Sequence, residues 1–291
     1  MNNNARAVNY RENSFPIIIA YSPPTKVKCY YPHLHLHNIE IHYFVRKNGS
    51  IFIKDRTYAT SPNTVFVIHI KDIHKYIFDK HPNCDKYTVL FNYDYFASKM
   101  TGKSLEVLNS FKYCHNINGI HQVRLSAKEA SEIELAFSIM LREYNNQRTN
   151  YKECVASLLS HLLILIQRGA EKAPSPLHEL VEDPAILKVI TYIDEHFKEK
   201  IYLPDLANIA YLSPCHLSST FKQKTGFRIK EYVLIKKITE AKNILEHVPC
   251  IKMHEIAYKS GFNDLSHFNH TFKRFTGYTP KQYCKFCQSF R

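Results

Sequence analysis

No stretch of this 291-residue sequence approaches the roughly 18 uninterrupted apolar residues that a bilayer-spanning helix needs. The nearest candidate, Leu162 to Ile166, is closed by His161 and Gln167. The first ten residues, MNNNARAVNY, lack the apolar centre of a signal peptide. The two absences together set the expectation of a cytoplasmic chain with no membrane partner. The composition is not that of a disordered protein either, with 45% hydrophobic and 22% charged residues. Eight cysteines in a chain that is not exported read as reduced thiols rather than a disulfide framework. Cys284 and Cys287 form one C-x2-C pair, but no second pair stands at zinc spacing, so they too read as free thiols. Charge is plentiful but not segregated: of the net +13, residues 1–180 carry +7 and residues 181–291 carry +6. That balance favours an anionic partner without locating the contact.

A chain of this length can hold two domains, each with its own core. Up to about residue 95 the sequence shows short β-rich runs: Phe15 to Tyr21, Glu40 to Val45, Ser50 to Ile53, Thr64 to Ile70, Tyr76 to Phe78 and Tyr87 to Phe91. Turn signals such as Ser22-Pro23-Pro24, Lys47-Asn48-Gly49 and Ser61-Pro62-Asn63 separate them, which predicts a sandwich or barrel. From Ser126 the periodicity becomes helical. One amphipathic helix is expected from Ala127 to about Asn145, and a second from Lys152 to Arg168 with Val155, Leu158, Leu159, Leu162, Leu163 and Ile166 in a wide apolar stripe. The predicted domains are 1–168 and 184–291. The turn-rich segment Gly169-Ala-Glu-Lys-Ala-Pro-Ser-Pro176 opens a linker that runs over 169–183.

The second domain contains an internal repeat. LPDLANIAYLSPCHLSSTFKQKTG (203–226) lies over MHEIAYKSGFNDLSHFNHTFKRFTG (253–277), at an offset of 50 before the turn and 51 after it. Each copy reads as a small apolar helix, a tight turn and a second helix held by an i, i+4 apolar pair, Leu217 with Phe221 and Phe268 with Phe272. Ser213-Pro214 is an N-cap followed by proline at N1, and Asn263 is the expected cap of the other copy. Gly226 and Gly277 should close the second helices in the left-handed region, and Gly261 should supply a positive φ at the second turn. Such pairs leave one face of each second helix outside the core. These faces are Cys215, His216, Ser218, Ser219, Lys222 and Gln223 in the first copy, and Leu265, Ser266, His267, Asn269, His270, Lys273 and Arg274 in the second. A solvated helix face is the plain reading of each polar residue. The duplicated pattern points instead to two helix-turn-helix units on double-stranded DNA. Asn can pair bidentately with adenine, Ser and His can reach base edges or phosphates, and Leu can touch a thymine methyl. Lys222, Lys273 and Arg274 would hold phosphates. No arginine falls squarely on a base-facing position, so specificity would lean on methyl contacts, water and DNA shape. The helix between the copies, Lys230 to about Val248, spans roughly 28 Å at 1.5 Å per residue. That is close to the ~34 Å turn of B-DNA, so one chain could reach two successive major grooves.

Residues 184–291 resemble the AraC/XylS family of bacterial transcription regulators. The resemblance rests on Ile256-Ala257-x3-Gly261-Phe262-x5-Phe268-x3-Phe272-Lys273-x3-Gly277-x-Thr279-Pro280-x2-Tyr283. It implies seven helices with two helix-turn-helix units and activity as an activator or, less often, a repressor. By position, Cys215, Ser218 and Ser219 match base-facing sites of the family's first reader helix, and Leu265, Ser266, Asn269 and His270 those of the second. Tyr211 departs from the pattern, standing where the family usually has glycine. The first reader helix also carries small residues where bulky or basic ones are common.

The N-terminal half is similar to the family's cupin-type sensor barrel, through Pro32-His33-Leu34-His35-Leu36-His37-x2-Glu40-Ile41 and Pro62-Asn63-Thr64 with Ile73-His74. The implied fold is α+β: a cupin-like barrel with a helical dimerisation segment, then an all-α domain. The resemblance further implies a small effector in the barrel, frequently a sugar, a homodimer, and RNA polymerase as partner if the chain activates. The 152–168 stripe fits a dimer seam and, equally, packing against the barrel. His33, His35, His37, Glu40 and His74 are the expected effector-binding residues. Their alternation would put the three histidines on one strand face, which also suits a metal- or redox-responsive switch. No catalytic residue, cofactor or resident metal is expected, and the chain is read as a non-enzyme.

Overall fold

The computed structural model describes residues 15–22, 37–46, 49–70, 72–77, 85–112, 121–172, 183–247 and 251–288. They fall into two compact units, 15–172 and 183–288.

The first unit contains β1 (Ile17–Ser22), β2 (Asn38–Phe44), β3 (Ser50–Ile53), β4 (Arg56–Ala59), β5 (Thr64–Ile68), β6 (His74–Ile77), β7 (Lys86–Asn92), α1 (Tyr93–Ala97), α2 (Gly102–Ser110), β8 (Gln122–Arg124), α3 (Ala127–Asn146) and α4 (Tyr151–Lys172). The strands pair antiparallel into a five-stranded sheet ordered β1-β7-β2-β5-β8 and a three-stranded sheet ordered β4-β3-β6. The strand pattern predicted a sandwich or barrel, and among the described residues it forms two sheets with no closed barrel. The period-2 alternation of a strand divides the labour on β2. Ile39, Ile41 and Tyr43 join a core with Ile133, Phe137, Leu159 and Leu162 of α3 and α4. Phe44, on the other face, joins Phe66, Ile68, Ile51, Ile53, Tyr58 and Tyr76, an apolar layer between the two sheets.

Strands β4 and β8 and helix α2 are absent from the sequence reading. The four residues of β4 (RTYA) and three of β8 (QVR) are too short for alternation to register. Asn63 stands where the resembled family commonly has glycine. It takes the left-handed region itself, at φ 56°, a conformation Asn adopts more readily than most side chains. A capping box starts α3: Ser126 Oγ accepts the Glu129 N–H, and Glu129 Oε2 accepts the Ser126 N–H at 3.0 Å. By length and apolarity α4 could cross a membrane. Its stripe, including Val155, Leu159, Leu162, Leu163 and Ile166, is instead buried in the core of its own unit. Packing against the sheet, one of the two readings of that stripe, is observed. The helix continues to Lys172, past the expected linker start at 169.

The second unit has seven helices among the described residues: α5 (Pro184–His196), α6 (Leu203–Ala210), α7 (Pro214–Thr225), α8 (Ile229–His247), α9 (Met253–Lys259), α10 (Leu265–Thr276) and α11 (Pro280–Gln288). Asp183 caps α5, accepting the N–H groups of Ala185 and Ile186. Ile238, Ala241 and Leu245 of α8 pack with Ile256, Phe262, Phe268 and Phe272 in one core cluster.

Candidate nucleic-acid interface and sensor site

Both copies of the repeat fold alike, and the reason is local. The Leu212 N–H donates to Ala207 O at 2.9 Å, and the Phe262 N–H to Ala257 O at 2.8 Å, closing equivalent helix ends. The residue in the left-handed region is Tyr211 in the first copy (φ 55°) and Gly261 in the second (φ 88°). Tyr211 therefore keeps the turn geometry where the family usually places glycine.

Both reader helices then start on a side-chain cap. Ser213 Oγ accepts the His216 N–H at 3.3 Å, and Asp264, not the expected Asn263, accepts the His267 N–H. The extra residue of the second turn shifts the cap by one, and a carboxylate serves better than an amide against the positive end of the helix dipole. The shared Phe-Lys-x-x-Thr-Gly ending has a mechanical purpose. Thr225 Oγ1 donates to Phe221 O at 2.7 Å and accepts the Phe227 N–H at 3.0 Å. Thr276 Oγ1 donates to Phe272 O at 2.8 Å and accepts the Tyr278 N–H at 3.2 Å. Gly226 and Gly277 follow in the left-handed region.

This scaffold buries Leu217, Phe221 and Thr225 in one copy and Phe268, Thr271, Phe272 and Thr276 in the other. Cys215, His216, Ser218, Ser219, Lys222 and Gln223 are all exposed on α7. So are Leu265, Ser266, His267, Asn269, His270, Lys273 and Arg274 on α10. Leu265, at 41% exposure, is a large apolar side chain left in solvent at the start of its helix. Two exposed faces thus present hydrogen-bonding groups with cations in the last turn, Lys222, Lys224, Lys273 and Arg274. The second turn is also tied to its neighbours: Lys237 of α8 donates to Gly261 O at 2.6 Å, and burial pushes the Lys237 ammonium pKa down.

In the first unit the expected effector residues divide. His33 and His35 lie outside the described residues. His37 precedes β2 and pairs with Asp94 on the surface at 2.8 Å, away from the others. Glu40 and His74 do meet, His74 Nε2 lying 3.0 Å from Glu40 Oε2, and both are buried.

Sequence reasoning missed His42 and Lys86, which complete this cluster. His42 Nε2 lies 3.1 Å from Glu40 Oε1 without hydrogen-bond alignment, and Thr88 Oγ1 is 2.9 Å from His42 Nδ1. Lys86 Nζ, which can only donate, is 3.3 Å from the same Nδ1 and 3.8 Å from the Tyr76 ring centre. Nδ1 therefore carries the lone pair and Nε2 the proton. Burial, and then the Lys86 charge, push the His42 pKa down to about 4 against the opposing pull of Glu40. The signal that could have found His42 is the alternation already applied to the preceding histidines, since Glu40 and His42 are two apart on β2. Lys86 had none, because it enters through the β2–β7 register, which pairs Phe44 with Lys86 and His42 with Thr88. The result is a carboxylate between two imidazoles with an ammonium beside them. It is a buried polar group set whose donors and acceptors have the chemistry to match hydroxyl, amide or carboxylate groups.

A strand-built unit holding a buried polar cluster, followed by seven helices with two capped helix-turn-helix units, defines a two-domain helix-turn-helix protein. The model of an AraC-like ligand binding domain matches residues 20–163, and that of a helix-turn-helix domain residues 206–285. The chain belongs to the AraC family of helix-turn-helix regulators. An uncharacterised HTH-type transcriptional regulator of Staphylococcus aureus (strain MSSA476) is 23% identical over 248 residues, 85% of this chain and 31% of that protein. The chain thus spans about a third of the length of the first curated relatives it matches. The HTH-type transcriptional activator RhaR of Escherichia coli O139:H28 is 24% identical, over 82% of this chain and 81% of the relative. Among solved structures, the C-terminal domain of the two-component response regulator yesN from Fusobacterium nucleatum is 32% identical, covering 35% of this chain and 99% of that one, with a TM-score of 0.33. The DNA-binding domain of AdpA in complex with a target DNA is 24% identical, covering 38% and 97%, with a TM-score of 0.35.

Proposed function

We propose that the chain is a sequence-specific DNA-binding transcription regulator, acting as an activator and governed by a small polar effector in its N-terminal unit. One observation carries this reading: in two repeat copies, every residue expected to face DNA is exposed on a helix whose opposite side is anchored in the core. The linking helix α8 supports the two-groove arrangement, since 19 residues extend about 28 Å. Asn269, His270, Leu265 and Ser266 read bases in the second groove, and Cys215, Ser218 and Ser219 in the first; Lys222, Lys273 and Arg274 hold phosphates. Glu40, His42, His74 and Lys86 hold the effector, with a carbohydrate the first class to screen because its hydroxyls match a donor–acceptor set of this kind. The proposal includes a homodimer and contact with RNA polymerase, for which the family resemblance is the support. A DNA partner in a bacterial regulator also accords with a cytoplasmic location.

The test is a randomised-site selection with the full chain and with Asn269→Ala and His270→Ala. Each substitution should relax preference at one or two positions, at a cost of roughly 1–3 kcal/mol for each base the side chain reads. Unchanged site preference in both variants would refute the assignment of α10 as a reader.

A further inference from the structure

Beside the Glu40 cluster, the strand-built unit buries a second polar group, just past the end of β5 where Ile68 pairs with Glu40. His69 follows β5, Asp72 lies three residues on, and His121 immediately precedes β8; their exposures are 0%, 7% and 4%. The pairing of β5 with β8 brings His121 across, its carbonyl accepting the Val67 N–H at 2.9 Å. One ligand atom from each of the three side chains lies within 4.8 Å of the others.

We propose that His69, Asp72 and His121 form a buried binding site for a divalent transition metal ion, with zinc as its occupant. Two imidazoles and one carboxylate are a borderline donor set that zinc accepts in open, three-ligand sites, and that calcium and magnesium do not favour.

The surroundings are those a metal-ligating histidine needs. His69 Nδ1 lies 2.9 Å from Phe111 O; a carbonyl only accepts, so Nδ1 carries the proton and Nε2 the lone pair. His121 turns Nε2 to Asp72 Oδ2 at 2.9 Å and Nδ1 to Tyr58 Oη at 3.2 Å. When Nε2 of His121 takes the metal, its ring proton sits on Nδ1 and is donated to Tyr58 Oη, so no charge is lost or gained in the ring. The Phe111 carbonyl thus fixes the His69 tautomer, and the Tyr58 hydroxyl, able to donate or accept, holds the His121 ring from behind, the arrangement that orients histidine ligands. Asp72 is oriented in turn, its Oδ2 accepting the His69 N–H at 3.1 Å. Tetrahedral zinc with bonds of about 2.0–2.1 Å holds its ligand atoms roughly 3.3 Å apart, so closing on an ion needs only small side-chain shifts.

The experiment uses the full chain, purified without a histidine tag and stripped with a chelator. Zinc is titrated by calorimetry and by competition with a chromophoric chelator. One equivalent should bind with submicromolar affinity and raise the melting temperature. Asp72→Asn and His121→Gln should abolish stoichiometric binding, and Tyr58→Phe should weaken it about 10- to 100-fold. The pair Glu40→Gln and His74→Gln should leave it intact. Cobalt substitution in the unaltered chain is independent of how the variants fold. Visible d–d bands without thiolate charge-transfer absorption are expected. The proposal fails if no stoichiometric zinc binds, if cobalt reports a thiolate ligand, or if binding survives the Asp72 and His121 substitutions and is lost with Glu40 and His74.

Discussion

Gly261→Ala should be among the most damaging small substitutions in the helix-turn-helix unit. Gly261 has φ 88°, and a Cβ there would stand 2.6 Å from Lys198 Cα and 2.7 Å from Lys198 O, both backbone atoms with no rotamer to escape through. The left-handed conformation costs an L-residue about 1–2 kcal/mol. The overpacking adds about 1–3 kcal/mol, so the loss is about 2–5 kcal/mol. A domain typically has about 5–15 kcal/mol in all. Tyr211 holds the equivalent position of the first copy at φ 55° and is 86% exposed, with Lys188 Nζ 5.3 Å from its ring. Tyr211→Gly relieves the backbone cost but gives up chain stiffness and an exposed cation–π contact, so it should stay within about 1 kcal/mol of the parent. Urea unfolding of the full chain, with native-state hydrogen exchange on the amides of α9 to α11, separates the two. Gly261→Ala should lower protection there and weaken DNA binding in parallel. Protection within about 0.5 kcal/mol of the parent would refute the close-approach argument.

His42 should make stability fall in mild acid. Its folded pKa of about 4 lies below the unfolded value of 6.5, so its contribution is complete above pH 6.5 and is lost as pH falls toward 4, up to about 3 kcal/mol. Denaturant melts across that range should show one proton's worth of slope that His42→Gln removes; an unchanged slope contradicts the assignment. Lys273→Ala should weaken binding to all DNA sequences alike and lower the slope of log affinity against log salt by about 1. A change confined to the preferred site would make Lys273 a base reader. Asp264→Ala, which removes the cap of α10, should cost about 1 kcal/mol in urea unfolding. A loss equal to that of Asn263→Ala would show the cap misplaced.

The repeat was legible because everything that defines it is local. Caps, apolar pairs at i, i+4 and the Thr-Gly ending act within one or two helical turns, so the residues expected on the free faces of α7 and α10 are those found exposed. The one slip, Asn263 for Asp264, came from the single inserted residue, whose place inside the turn only the backbone path fixes.

The strand-built unit was legible in class and in most strand positions, but not in detail. Alternation marks which residues share a strand face. It does not say which strand lies beside it, so Glu40 could be paired with His74 by motif while Lys86 and Thr88 could not be paired with His42. The His69, Asp72 and His121 group lies deeper still, its members 49 or more residues apart at the extreme and joined by β5–β8 pairing with a three-residue strand.

The sequence by itself therefore determined the two-domain plan, the duplicated helix-turn-helix units and their outward faces, because short-range hydrogen bonds and helical period encode them. Only the tertiary structure decided that α4 packs into its own core, that the strands form two sheets, and which buried polar side chains meet. Those outcomes depend on long-range register and on where one backbone comes to lie against another.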